Sequence, residues 1–73
     1  MNVIAVIERE REKVRAVPGV FDLAYGEDEV GPHVLVFVED EDNVEQVERE
    51  ISRLSLLVGC RVVVKTKLHI GPR

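Results

Sequence analysis

The six residues His33-Val34-Leu35-Val36-Phe37-Val38 decide how this chain folds. Strand side chains alternate between two faces, so Val34, Val36 and Val38 line one face while Leu35 and Phe37 line the other. A strand that is apolar on both faces belongs in the middle of a sheet, with cover on each side. The remainder of the 73 residues must supply that cover or leave part of it to a partner.

Working outward, Val20 to Tyr25 also alternates. Phe21, Leu23 and Tyr25 point one way and Val20, Asp22 and Ala24 the other, which predicts a strand with one greasier face. Gly26-Glu27-Asp28-Glu29-Val30-Gly31-Pro32 is a polar loop with turn residues at both ends and joins the two strands as a wide hairpin. Upstream, Met1 to Ala16 reads as a helix. Val3, Ile7 and Val14 share a face, Val6 and Val17 lie near its edges, and the block Glu8 to Lys13 forms charged surface. Within that block, Glu8 with Arg11, Arg9 with Glu12 and Glu12 with Arg15 are spaced for weak surface pairs. Pro18 disfavours helical geometry in the residue before it, so this helix ends by Val17 and Pro18-Gly19 turns the chain.

Downstream, Asp40 to Asn43 is an acidic link into a second helix, with Asp42 and Glu45 spaced as a capping-box variant. Val44, Val47, Ile51, Leu54 and Val58 recur at helical spacing, and Gly59 is a natural stop. Arg61 to Ile70 is a third strand. Val62, Val64, Thr66, Leu68 and Ile70 lie on one face; Arg61, Val63, Lys65, Lys67 and His69 lie on the other. A helix joining strands two and three makes them parallel neighbours. The predicted fold is a single α+β domain over 1–73: a two-layer αββαβ unit, with a three-stranded mixed sheet in the order 1-2-3, strand two central and both helices on one face.

Composition bounds the function. A domain near this size buries only roughly 60% of the surface its unfolded chain exposes, and small folds compensate with disulfides, metals or association. The lone Cys60 excludes an intrachain disulfide and a multi-cysteine zinc site, and is best read as a small buried hydrophobe. With 45% hydrophobic and 33% charged residues the chain is globular rather than disordered. Dense charge and few amides resemble thermophile usage. A net charge of -4 disfavours general nucleic-acid binding. No apolar run reaches the ~18 residues that span a bilayer. Glu8 to Lys13 falls where a signal peptide would stay apolar, so the cytoplasm is the expected location.

The helices cover the valine face of the sheet. Phe21, Leu23, Tyr25, Leu35, Phe37 and Val63 are then expected together on the opposite face, where no element remains to cover them. An apolar patch of that kind marks an interface, most simply with a second copy of the chain. The alternatives are that strand one faces the other way or that the hairpin loop folds over the patch. No phosphate loop, hydrolytic nucleophile or convergent acid–base set is present, so an enzyme is not expected. Two binding readings stand behind the homodimeric interaction module. His33 and His69 are candidate ligands for a divalent metal in a dimer, the one cofactor the chain suggests, although strand-end histidines in partial solvent are the plainer reading. Arg61, Lys65 and Lys67 form a basic stripe near Tyr25 and Phe37, a pattern used for single-stranded nucleic acids but also for protecting a sheet edge. Zinc titration of His33→Ala and His69→Ala tests the first; salt-dependent retention of single-stranded RNA by Lys65→Glu/Lys67→Glu tests the second.

The element order, with Val17-Pro18-Gly19-Val20 leading into the first strand, resembles the cytoplasmic domain of cation diffusion facilitator transporters. That resemblance implies metal-responsive dimers, but the histidine motifs of those domains have no counterpart here beyond the loosely placed His33 and His69. Pro18-Gly19-Val20, His33 to Glu39 and Gly59 to Val64 also resemble a group of small uncharacterised prokaryotic proteins related to a domain that precedes some trypsin-like proteases. A ferredoxin-like fold without its first strand is a further structural relative.

Overall fold

The computed structural model describes residues 2–66. It runs α1 (Val3–Arg15), β1 (Val20–Glu27), β2 (Pro32–Val38), a single 3-10 turn (Glu41–Asn43), α2 (Val44–Arg53) and β3 (Val62–Thr66). The sheet order is β1-β2-β3, with β2 antiparallel to β1 and parallel to β3. The mixed α+β sheet with β2 at its centre is therefore as expected. The outer part of the expected third strand, including Lys67 and His69, lies outside the described residues.

Both helices bury their apolar stripes on one face of the sheet. Val6, Ile7 and Val14 of α1 and Val47 and Ile51 of α2 form one cluster with Val34, Val36 and Val38. All three β2 valines are fully buried. Asn2 caps α1, its Oδ1 accepting the Ala5 N–H at 3.2 Å. The chain then turns through Pro18 and Gly19, with Val20 N–H bonded to the Val17 carbonyl at 3.1 Å. Gly19 has φ of 96°, the left-handed position that a proline-initiated type II turn requires.

Glu10 and Arg11 of the charged block make tertiary contacts, and the expected helix-surface pairs are not among its ion pairs. Among the described residues its ion pairs are Arg9 with Glu10 and Arg11 with Asp22, both at 3.2 Å. Glu10 Oε1 accepts the Leu57 N–H at 2.7 Å, across 47 residues of chain. That bond is the leading cause that holds the Glu10 carboxyl below its ordinary pKa. Leu57 is buried in the core with φ of 56°, so this carboxylate fixes a backbone conformation that a leucine disfavours alone.

α2 departs from expectation at both ends. Asp40, not Asp42, makes the cap: its Oδ1 accepts the Asp42 N–H at 3.0 Å and opens the 3-10 turn. The helix stops at Arg53 rather than running to Gly59. Leu56 N–H bonds to the Ile51 carbonyl and Ser55 N–H to the Ser52 carbonyl, while Ser55 has φ of 55°. These are the two bonds of a Schellman termination, with serine in the left-handed position usually held by glycine. Leu54 and Val58, expected on the helical stripe, are exposed, and Leu57 takes the core position in their place.

Candidate interaction surface

Register places each strand residue on a face. Antiparallel partners share a face, as do parallel partners, so the sheet can be read in rungs. On the side away from the helices the first rung is Asp22, Phe37 and Lys65, and the second is Ala24, Leu35 and Val63. The third is Gly26 and His33, with Arg61 just ahead of β3. Leu35, Phe37 and Val63 are half-buried there. The two helices and the Leu57 segment pack into the cluster on the opposite face.

β1 corrects the expected patch. Its pairing runs Val20 with Val38 and then Asp22 with Phe37, so Phe21 is an extra residue in a bulge. One inserted residue inverts the alternation for the rest of the strand. Leu23 now pairs with Val36 and Tyr25 with Val34, on the helix side. Leu23 is 3% exposed and belongs to the core. Tyr25 is 44% exposed, its hydroxyl donating to Glu27 Oε1 at 3.3 Å. Asp22 and Ala24 take the places expected for Leu23 and Tyr25. Phe21 stays exposed at the bulge. Arg11 secures this edge, donating to Asp22 Oδ1 and, at 3.4 Å, to the Leu23 carbonyl. Asp22 Oδ1 also accepts the Leu23 N–H at 2.8 Å.

At the third rung a polar latch closes the sheet end. Asp28 accepts the N–H groups of Val30 and Gly31 on Oδ1, at 3.0 and 3.2 Å, and shapes the hairpin loop. Arg61 reaches across from β3 to the same carboxylate at 2.9 Å. The Arg61 hydrogen bond is the largest influence on Asp28 and, helped by the loop N–H groups, holds its carboxyl at about 2. Arg61 also lies 3.3 Å from His33 Nδ1. A guanidinium only donates, so Nδ1 is the acceptor in this contact.

His33 is 6% exposed, not the partly solvated strand-end residue expected. Gly26 makes room for it: a Cβ there would stand 2.4 Å from Nε2 and 3.0 Å from Leu35 Cδ1. Asp28 Oδ2 is the acid beside it, 3.9 Å from Nδ1. Among the described residues no group of three or more His, Cys, Asp or Glu side chains converges on one point. His69, the other candidate ligand, lies outside the described residues. Of the basic stripe, Arg61 is committed to Asp28, Lys65 is exposed in the first rung, and Lys67 lies outside the described residues.

Two shallow hollows lie between α2 and β3. One, about 270 Å³, is lined by Glu48, Ile51, Ser52 and Val62; the other, about 280 Å³, by Glu41, Val44, Val64, Lys65 and Thr66. Cys60 is half-buried against the core. Among the described residues no helix is long and apolar enough to cross a membrane. The leading sequence reading put Asp22 and Ala24 on the helix side; its alternative, strand one facing the other way, places them on the open face as observed. The sole local signal was an aspartate inside an otherwise apolar strand, where a bulge is one way to accommodate it. No family model, curated protein or solved structure matches the chain.

Proposed function

We propose that this protein is a small non-catalytic interaction module that pairs with a second copy through the face carrying Leu35, Phe37 and Val63. The supporting observation is the second rung, Ala24-Leu35-Val63, extended by Phe37. It is an apolar centre on the side of the sheet opposite the core cluster. Leu23 and Tyr25 drop out of the expected interface, and Phe21 sits at its rim.

Magnitude sets the strength. Strands lie ~4.8 Å apart and rungs repeat every ~6.8 Å, so three strands by three rungs span on the order of 300 Å² in projection. A standard interface buries roughly 800 Å² per partner. Association is accordingly weak and concentration-dependent, with Kd on the order of micromolar or above. Sedimentation equilibrium across that range tests the reading. A dimer that Leu35→Glu abolishes without unfolding the chain supports it. A monomer at every concentration, or a dimer indifferent to Leu35→Glu, refutes it.

A further inference from the structure

The two edges of the sheet are finished differently. At the β1 edge the main chain of Leu23 is taken: Asp22 Oδ1 accepts its N–H and Arg11 donates to its carbonyl. The Phe21 bulge distorts the strand beside them. Bulges and charged side chains guard an edge against the addition of a further strand. The β3 edge is finished otherwise. The Val34 N–H bonds to the Arg61 carbonyl, and Val34 stands in parallel register with Val62. The odd-numbered β3 residues therefore bond to β2, and Val62 and Val64 aim their N–H and C=O groups away from the sheet. Among the described residues nothing outside the sheet bonds to either.

The two hollows beside α2 follow that edge. Each is lined by β3 and by α2 or the turn before it, with no β2 residue. Val62 belongs to one and Val64 to the other, two residues or ~6.8 Å apart along the strand. A strand added to β3 sets its side chains i and i+2 on the helix side at that same interval. Ile51 and Val62 give the first hollow an apolar lining and the exposed Glu48 gives it charge. Glu48 makes no ion pair among the described residues, whereas Glu10 and Glu50 are both paired. Val44 and Val64 line the second hollow, where Lys65 balances Glu41.

We infer that the β3 edge is a strand-addition site for an extended segment of another protein that carries a lysine or arginine and an aliphatic residue at alternate positions. Main-chain bonds to Val62 and Val64 hold the segment, and the hollows select its sequence. The basic side chain lays its stem on Ile51 and Val62 and its charge against Glu48. The aliphatic side chain fills the hollow between Val44 and Val64. A second copy does not supply this pattern. Edge-to-edge pairing about a two-fold axis keeps each copy's even-numbered β3 side chains on the helix side, and the even positions from 62 to 70 hold no cation. The site is separate from the open face and does not rest on the homodimer.

The probe is the acetylated, amidated peptide Thr-Lys-Thr-Val-Thr-Lys-Thr, which presents a lysine two residues from a valine in either direction. Titrated into the full chain, it is expected to shift the amide resonances of Val62, Val64 and Ile51 and to saturate at or below millimolar peptide. Two N-methylated versions, one modified on the Lys and Val residues and one on the Thr residues, test the main-chain pairing. One is expected to lose binding and the other to keep it, because only alternate N–H groups of an added strand face β3. Glu48→Lys, an exposed change, is expected to raise the peptide Kd at least about threefold. Leu35→Glu is expected to leave it unchanged, which separates this site from the open face. No shift at β3 with millimolar peptide, the same effect from both N-methylated versions, or indifference to Glu48→Lys overturns the inference. So does slow amide exchange at Val62 and Val64 in the dilute chain alone, which would give the edge to the chain's own segment. Shifts at β3 on concentrating the chain without peptide would give it to a second copy and overturn the inference as well.

Discussion

β2 presents one kind of surface to the helices and another to the open side, though the two are woven from alternate residues of a single strand. Val34, Val36 and Val38 are 0% exposed beneath α1 and α2. Leu35 and Phe37, one position out of step, are only half-covered. Hydrophobicity does not separate the two sets. The compact branched valines lie where helices approach closely, and the longer Leu35 and Phe37 lie on the face away from both helices. A buried core face and a more open face thus share one apolar pattern, distinguished by the side on which the two helices pack.

Substitutions on the two faces break or sharpen this comparison. The largest effect belongs to the helix side. Val36→Asp places an unpaired carboxylate in a dry core, costing several kcal/mol, comparable with the whole stability of a small domain. Far-UV circular dichroism of this variant is expected to report an unfolded chain. Gly26→Ala comes next, because its Cβ collides with His33 and the neighbouring Leu35. Overpacking of this kind costs about 1–3 kcal/mol in urea unfolding.

Glu10→Ala removes the carboxylate that holds Leu57 and costs about 1 kcal/mol, discounted from a fully buried charged hydrogen bond because the group is near the surface. Acid sharpens the same point. The folded-state pKa values of Glu10 and Asp28 are depressed, Asp28 to about 2 from an ordinary 3.8. Their contributions are complete above the unfolded pKa values and are lost as pH falls through the folded ones. Stability measured by denaturant unfolding should therefore decline from about pH 4 toward pH 2, and Asp28→Asn should flatten part of that decline. The open side is expected to be more tolerant than the helix side. Leu35→Glu should cost the monomer on the order of 1–2 kcal/mol, since the residue is partly exposed, well short of the Val36→Asp loss, while removing self-association.

Much of this architecture was legible in the sequence. The two-faced apolarity of His33 to Val38 placed β2 at the centre, and the valine face received both helices. What escaped were features with no periodic signature. The Phe21 bulge inverts β1 after one residue, and no composition rule announces a bulge. α2 ends at Arg53 because Ser55 takes a left-handed conformation within a network of backbone bonds, whereas Gly59 was the visible stop. Glu10 and Arg11 looked like solvated helix surface because their partners, Leu57 and Asp22, are distant in the chain. The open face kept Leu35, Phe37 and Val63 from the expected patch but exchanged Leu23 and Tyr25 for Ala24 and Asp22.

A dilution series followed by NMR places both faces in one experiment. The account predicts that the resonances of Leu35, Phe37 and Val63 move with protein concentration while those of Val34, Val36 and Val38 hold still. Resonances of the open face that stay fixed from micromolar to millimolar protein, or shifts centred on residues elsewhere, would contradict it.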